Sequence, residues 1–277
     1  MPVMTECETC EVSDRVDLPS AESQLNDFLA KVASAEQSAL LLDFDGTLAP
    51  FRIDPAKVRP WAGVTALLDK IQQTARTRIA IISGRPAEDV ALQLGMARPP
   101  EIWGLHGAER MTLDGRVEFD DVRPEQRSTL DAAKLSLQVA GKTGLRLEEK
   151  WNAIAAHWRG KPEHFARVAR DQTTMLLSPF ADGSGIKLLQ FDGGVELRAG
   201  RDKGDAVRML LEEMPPDIPV AFMGDDITDE DAFRALAGRG LGILARRDWR
   251  PTAAPVWLRP PVQLRKFLSS WLRALRY

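Results

Sequence analysis

Five short apolar runs set what this chain can fold into. They span residues 39–44, 78–82, 101–105, 219–223 and 241–245, and each stops at a glycine or a polar cluster. Runs of this length, apolar on successive residues, read as strands covered on both faces of a sheet. Helical patterns separate several of them, over residues 61–74, 87–94, 203–214 and 228–237, and an amphipathic helix over 261–275 closes the chain. Alternation of strand and helix predicts a doubly wound α/β sheet, mainly parallel, with right-handed crossovers. Ligands of such sheets sit beyond the carboxyl ends of the strands.

The rhythm changes between about residues 123 and 195. A helix over 125–139, strand-like runs over 145–149 and 152–158, a helix over 163–172 and a hairpin, IKLLQFDGGVELR, make an α+β insertion. The predicted organisation is a core of residues 19–122 and 196–277 carrying a smaller cap at 123–195, joined through hinges near 122–124 and 195–200. The Asp192-Gly193-Gly194 turn supplies the positive-φ positions of a tight hairpin. Residues 1–18 are polar and without period, which predicts a disordered tail; a helix over 21–34, capped by Ser20, follows it. Cys7 and Cys10 fall in that tail with no second pair of ligands, so they read as chance thiols.

A chain of 277 residues with 44% hydrophobic content can bury a sizeable core. Its net charge of -3 gives no global basic field, so neither nucleic acid nor an anionic membrane is expected as a partner. No run is long enough to span a bilayer and no basic-then-apolar leader begins the chain, which predicts a cytoplasmic location. Function therefore rests on local charge.

The first apolar run ends in two acids, within LLLDFDGTLAPF (residues 40–51). On an extended chain Asp43 and Asp45 project to one side and Phe44 to the packing side. Gly46 and Thr47 then break the strand and leave backbone N–H groups to face an anion. Two like charges this close repel unless a proton or cation lies between them. A second acidic cluster follows the fourth run, in FMGDDITDEDAF (residues 222–233), where Asp225 stands directly after the strand and Asp229 one turn further on. Asp226, Glu230 and Asp231 read as ordinary acids of a helix N-terminus.

DFDGT (residues 43–47), the Ser83-Gly84 that ends the second run, Lys203 and GDDITDED (residues 224–231) resemble the four ordered motifs of the haloacid dehalogenase superfamily, over most of the chain from Leu40 to about Leu244. The resemblance implies a Rossmann-like core with an inserted cap. It implies that Asp43 attacks phosphorus to form an aspartyl-phosphate, and that Asp45 acts as general acid and base. Ser83 and its neighbouring N–H groups would take phosphate oxygens, and Lys203 would stabilise the charge of the transition state. Asp43, Asp225 and the phosphate are all anionic, so a divalent cation is required between them. Mg2+ is implied, held by the Asp43 carboxylate, the Asp45 carbonyl and the Asp225 carboxylate, with Asp229 behind them orienting Lys203.

Within that superfamily, DFDGTLAPF with RIDP, SGRP (residues 83–86), GLHGAE (residues 104–109), LEEKWNAIAAHWR (residues 147–159) and VELRAGRDKGDAV are similar to the trehalose-6-phosphate phosphatase family. Strand alternation puts Glu148 with Lys150, and His157 with Arg159, on shared faces. By resemblance Glu148, Lys150, His157, Arg159 and Glu196 bind sugar from the cap, while Gly84, Arg85, His106 and Gly107 approach from the core. Trp158 departs from the family's His-Tyr-Arg, at a position that points away from His157. The expected substrate is a small sugar phosphate, and a functional link to a trehalose-phosphate synthase follows. Two alternatives stand beside it: a phosphatase for sucrose or glucosylglycerol phosphate, or a non-catalytic sugar-phosphate sensor partnering that synthase. The intact set of Asp43, Asp45, Lys203 and Asp225 favours an enzyme over a sensor.

Overall fold

Leu40, Leu41 and Leu42 are fully buried because β1 (Ser38–Leu42) lies in the middle of an eight-stranded sheet. A computed structural model describes residues 18–276 of the chain, apart from 53, 141–143, 182–184 and 192. Residues 1–17 of the expected tail, with Cys7 and Cys10, and turn residue Asp192 lie outside the described residues.

The chain enters through α1 (Leu18–Ser34), which begins three residues earlier than expected, so Ser20 falls inside its first turn instead of ahead of it. After β1 come α2 (Val64–Gln73), β2 (Thr77–Ile82), α3 (Ala87–Leu94) and β3 (Glu101–Gly104). Two short strands, β4 (Glu109–Met111) and β5 (Val117–Phe119), extend this edge in antiparallel fashion. The second half supplies α6 (Lys203–Glu212), β10 (Val220–Gly224), α7 (Glu230–Leu236), β11 (Leu241–Ala245), β12 (Val256–Leu258) and α8 (Val262–Ala274). The sheet order is β12-β11-β10-β1-β2-β3-β4-β5, parallel from β12 to β3. Three-residue strands carry too little pattern to read from sequence, which is why β4, β5 and β12 were not expected.

From β1 the chain steps outward to β2 and β3 on one side, and later to β10, β11 and β12 on the other. The reversal between β1 and β10 is the switch point at which a doubly wound sheet opens a crevice. Alternate β1 side chains feed two cores. Leu40 and Leu42 pack with Phe28, Leu68, Val90 and Trp271 from α1, α2, α3 and α8, and Ala39 and Leu41 with Val207, Leu210 and Phe233 from α6 and α7. Covered on both faces, β1 has no polar alternation to show.

Between β5 and α6 the chain forms α4 (Pro124–Ala140), β6 (Arg146–Glu149), β7 (Ala153–His157), α5 (Glu163–Leu177), β8 (Ile186–Phe191) and β9 (Gly194–Ala199). These strands make a separate antiparallel sheet of order β6-β7-β9-β8. One face is apolar: Ile154, Val195 and Leu197 pack beneath Leu130, Ala133 and Leu137 of α4 and Ala169 and Leu177 of α5. The buried Trp158 joins this side, away from His157 as expected. The boundary drawn between 195 and 196 falls inside β9. Residues 196–199 belong to the small sheet, and the return to the core begins at Gly200. Among the described residues no helix is long and apolar enough to cross a membrane.

Candidate active site

Parallel register brings the two acidic motifs together. Leu42 pairs with Met223, and the Asp43 amide donates to the Met223 carbonyl at 2.8 Å, so Asp43 and Asp225 leave the sheet side by side at the switch point. The strand ends at Leu42, two residues short of the expected limit, and a turn presents the acids. The Gly46 amide donates to the Ala49 carbonyl and the Ala49 amide to the Phe44 carbonyl, while Phe44 is buried in the core. Gly46 has φ +87, and a Cβ there would lie 2.2 Å from Asp225 Oδ2. Only glycine allows both the left-handed turn and the approach of that carboxylate.

Oxygens of Asp43, Asp225 and Asp229 lie within 4.8 Å of one another, and all three residues are buried. Lys203 opens α6 and donates to Asp43 Oδ1 at 2.6 Å and to Asp229 Oδ1 at 2.7 Å. The other Asp229 oxygen accepts the amides of Asp225 and Asp226, each at 2.9 Å. One ammonium faces three carboxylates. Burial raises the Asp43 carboxyl to about 7, with Asp229 and Asp45 adding to the shift and Lys203 opposing it. Burial and the charges of Asp43 and Asp229 push Asp225 well above the usual carboxylate range. Lys203 is moved upward: burial opposes its charge, but Asp229 and Asp43 outweigh that cost. Asp43 Oδ2 and Asp225 Oδ1 are buried with no hydrogen-bond partner among the described residues. Three buried carboxylates this close, with two oxygens left unpartnered, form a donor set that fits a hard divalent cation.

Asp45 faces outward and is gripped by Arg85, whose Nε lies 2.5 Å from Oδ2 and whose Nη2 lies 2.7 Å from Oδ1; Nη1 donates to the Pro55 carbonyl. Ser83 is buried after β2, and its hydroxyl accepts the Arg85 amide at 3.2 Å. The next turn, Leu105-His106-Gly107, holds two non-glycine residues at positive φ, Leu105 at 49 and His106 at 59. Such strain persists only where neighbours enforce it. Here the Leu105 amide donates to the Arg85 carbonyl at 2.9 Å and the His106 amide to the Ser83 carbonyl at 2.8 Å. The imidazole fills the space above Gly84, where a Cβ would lie 2.6 Å from Nε2. Gly107 turns instead toward Ala206 of α6.

The polar face of the small sheet looks onto this region. Glu148, Ala155 and Glu196 are paired across β6, β7 and β9, so both acids stand on one face with a small residue between them. Lys150 donates to Glu196 Oε2 at 2.6 Å, Arg198 Nη1 lies 3.2 Å from Oε1, and His106 Nε2 lies 3.4 Å from the same oxygen. His157 Nε2 sits 2.8 Å from Glu148 Oε2. Burial opposes both acids, yet His157 and Lys150 hold Glu148 at about 2, and Lys150 and Arg198 keep Glu196 below the usual range. Burial lowers both histidines. Arg198, Lys150 and Lys203 lower His106 further, and Glu148 offsets part of the effect at His157. Both imidazoles are therefore neutral near pH 7.

A cavity of about 540 Å3 separates the two sheets. Asp43, Asp45, Gly84, Arg85, His106, Glu148, Lys150, His157, Arg159, Glu196 and Lys203 all line it. Asp225 and Asp229 lie beneath its floor, and Ser83 and Gly107 are not on its wall. Arg159 crosses the mouth, its guanidinium 3.8 Å from the centre of the Phe51 ring. Phe51 and the buried Arg198 were missed from sequence. Arg198 stands two residues after Glu196, so strand alternation alone could have found it, whereas nothing local to Phe51 marks its contact with Arg159.

A model of the trehalose-phosphatase family matches residues 41–250. The trehalose-phosphate phosphatase of Mycobacterium marinum is 32% identical over 254 residues, which are 86% of this chain and 63% of that protein. The chain thus spans under two thirds of the length of that relative. Among solved structures, the C-terminal domain of Candida albicans trehalose-6-phosphate phosphatase superposes with a TM-score of 0.75 at 20% identity, covering 91% of this chain and 96% of that one. The C-terminal domain of a Candida albicans trehalose synthase regulatory protein gives 0.70 at 13% identity, covering 90% and 97%. These two likenesses speak for the fold. With the family model spanning the acid motifs and the polar strands alike, the chain belongs to the trehalose-phosphatase family.

Proposed function

We propose that this chain is a phosphoric monoester hydrolase that converts trehalose 6-phosphate to trehalose and phosphate. The observation that carries the reading is the pair of orphaned oxygens on Asp43 and Asp225, set beside Lys203 on the floor of a cavity whose roof is polar. A sugar phosphate needs such a place, with charge at one end and hydrogen-bonding groups at the other.

The Asp43 carboxylate, the Asp45 carbonyl and the Asp225 carboxylate would hold Mg2+. Bound there, the cation would offset the repulsion among carboxylates and phosphate and favour the charged forms of Asp43 and Asp225. Asp43 attacks phosphorus as the bond to the sugar oxygen breaks, forming an aspartyl-phosphate. Asp45 gives its proton to the departing sugar oxygen, then takes one from the water that attacks phosphorus. Phosphate leaves and the Asp43 carboxylate is restored. Lys203 stabilises the charge that develops on the transferring group, and Asp229 keeps it aimed. Both Asp45 oxygens are engaged by Arg85, so proton transfer requires this fork to open; the substrate phosphate is an anion that can draw Arg85 away.

Above the phosphate, Glu148, Lys150, His157, Glu196 and His106 offer donors and acceptors to sugar hydroxyls. The small sheet and its helices, about residues 123–199, act as a cap that sets specificity and closes over the site. The reading also implies a cytoplasmic location and a functional link to a trehalose-phosphate synthase whose product this site consumes. Phosphate release from a panel of sugar phosphates tests it. Trehalose 6-phosphate should be preferred and a chelator should abolish turnover; preference for sucrose or glucosylglycerol phosphate would overturn the substrate assignment.

A further inference from the structure

We infer that Arg250 is a positioning residue for the cation site, holding the backbone of Asp225 and Asp226 from the side opposite Asp229. The inference rests on the reading of Asp225 as a cation ligand. Arg250 lies in the segment between β11 and β12, and it is not on the wall of the cavity. Its Nη2 donates to the Asp226 carbonyl at 2.6 Å and its Nε lies 3.4 Å from the Asp225 carbonyl. Arg246 Nη1 also reaches the Asp225 carbonyl at 3.4 Å. The guanidinium is itself fixed, since Nη1 pairs with Glu230 Oε1 and donates to the Pro251 carbonyl at 2.9 Å. Glu230 Oε2 in turn accepts the Ala253 amide at 2.8 Å.

The residues that precede α7 are therefore clasped on both backbone edges. Asp229 takes the amides of residues 225 and 226, and Arg250 takes their carbonyls. The Asp225 carboxylate meets Gly46 on its free side, so the side chain stands at one place beside Asp43. A carboxylate held this way is ready for a cation before the cation arrives, and removing such supporting contacts weakens metal sites.

Titration of the chelator-stripped protein with Mg2+ by calorimetry, paired with thermal unfolding in chelator, tests this without relying on turnover. Arg250→Met should bind Mg2+ about tenfold to a hundredfold more weakly than the wild type. Loss of the Glu230 pair should lower its unfolding temperature in chelator, and the further rise produced by Mg2+ should shrink as well. Arg250→Lys, which keeps the charge, most of the length and one donor group, should fall between the two; it carries the test if Arg250→Met does not fold. Wild-type affinity in both variants, or a lowered unfolding temperature with affinity unchanged, would overturn the assignment of Arg250 alone. A wild-type protein that binds no Mg2+ would overturn it together with the cation reading beneath it.

Discussion

The two walls of the cavity solve the burial of charge in opposite ways. The floor gathers three like-charged carboxylates around one lysine and leaves two oxygens without partners. The roof pairs Glu148 with His157, and surrounds Glu196 with Lys150, Arg198 and His106. Burying unpaired charge is costly, so an unbalanced floor is stable only with something added, while on the roof Glu148 and Glu196 each have basic partners of their own. The difference separates tasks. On the proposed function, the floor would receive a cation and a phosphate, and the roof would exchange internal partners for the neutral hydroxyls of a sugar.

The largest break in this comparison comes at the floor. Asp43→Asn keeps the shape and removes the attacking charge, and turnover should fall by roughly 10^4-fold or more, the scale of losing a covalent nucleophile. Phosphate-release assays would show it, and activity within tenfold of wild type would discard the covalent route. At the roof, Glu196→Gln should act mainly on KM, raising it about tenfold to a hundredfold, the worth of a charge-assisted hydrogen bond. A fall in kcat with KM unchanged would mean that Glu196 serves the reaction centre and not the sugar.

A smaller effect sharpens the contrast through pH. On the floor, the Asp43 carboxyl rises from 3.8 to about 7 in the folded protein. Between those values the folded state keeps a proton that the unfolded chain has lost, so the stability of metal-free protein falls as pH rises through that window. Asp225 acts in the same direction. On the roof, Glu148 drops from 4.5 to about 2, so its contribution is present above 4.5 and is lost as pH falls toward 2. His106 and His157 lie below 6.5, so the unfolded chain takes up protons first and stability also declines as pH drops below 6.5. Between pH 3.8 and 6.5 the floor and the histidines act in opposite directions, so Mg2+, by removing the floor's contribution, should move the pH of highest unfolding temperature upward. Identical profiles with and without Mg2+ would show that the floor needs no cation.

The floor was legible in the sequence because strand ends fix it. Asp43 and Asp225 each follow an unbroken apolar run, and parallel pairing of β1 with β10 makes them neighbours without any help from side-chain detail. The roof was legible in part. Strand alternation put Glu148 with Lys150 and His157 with Arg159, and the family resemblance added Glu196, yet which charge meets which depends on cross-strand register, which the hairpin turns do not reveal. Arg250 was invisible, since the carbonyls of Asp225 and Asp226 that it holds lie more than twenty residues away, and a carbonyl carries no mark of residue type. The cap boundary missed by a few residues for a related reason: β9 leaves the small sheet and heads for Lys203 with no change of composition.

The central claim is that Asp43 and Asp225 share a divalent cation, and crystals grown with Mn2+ test it most directly. Anomalous difference maps should show one strong peak touching Asp43 Oδ2 and Asp225 Oδ1, the two oxygens left without partners. A featureless map between those carboxylates at saturating Mn2+ would contradict the account.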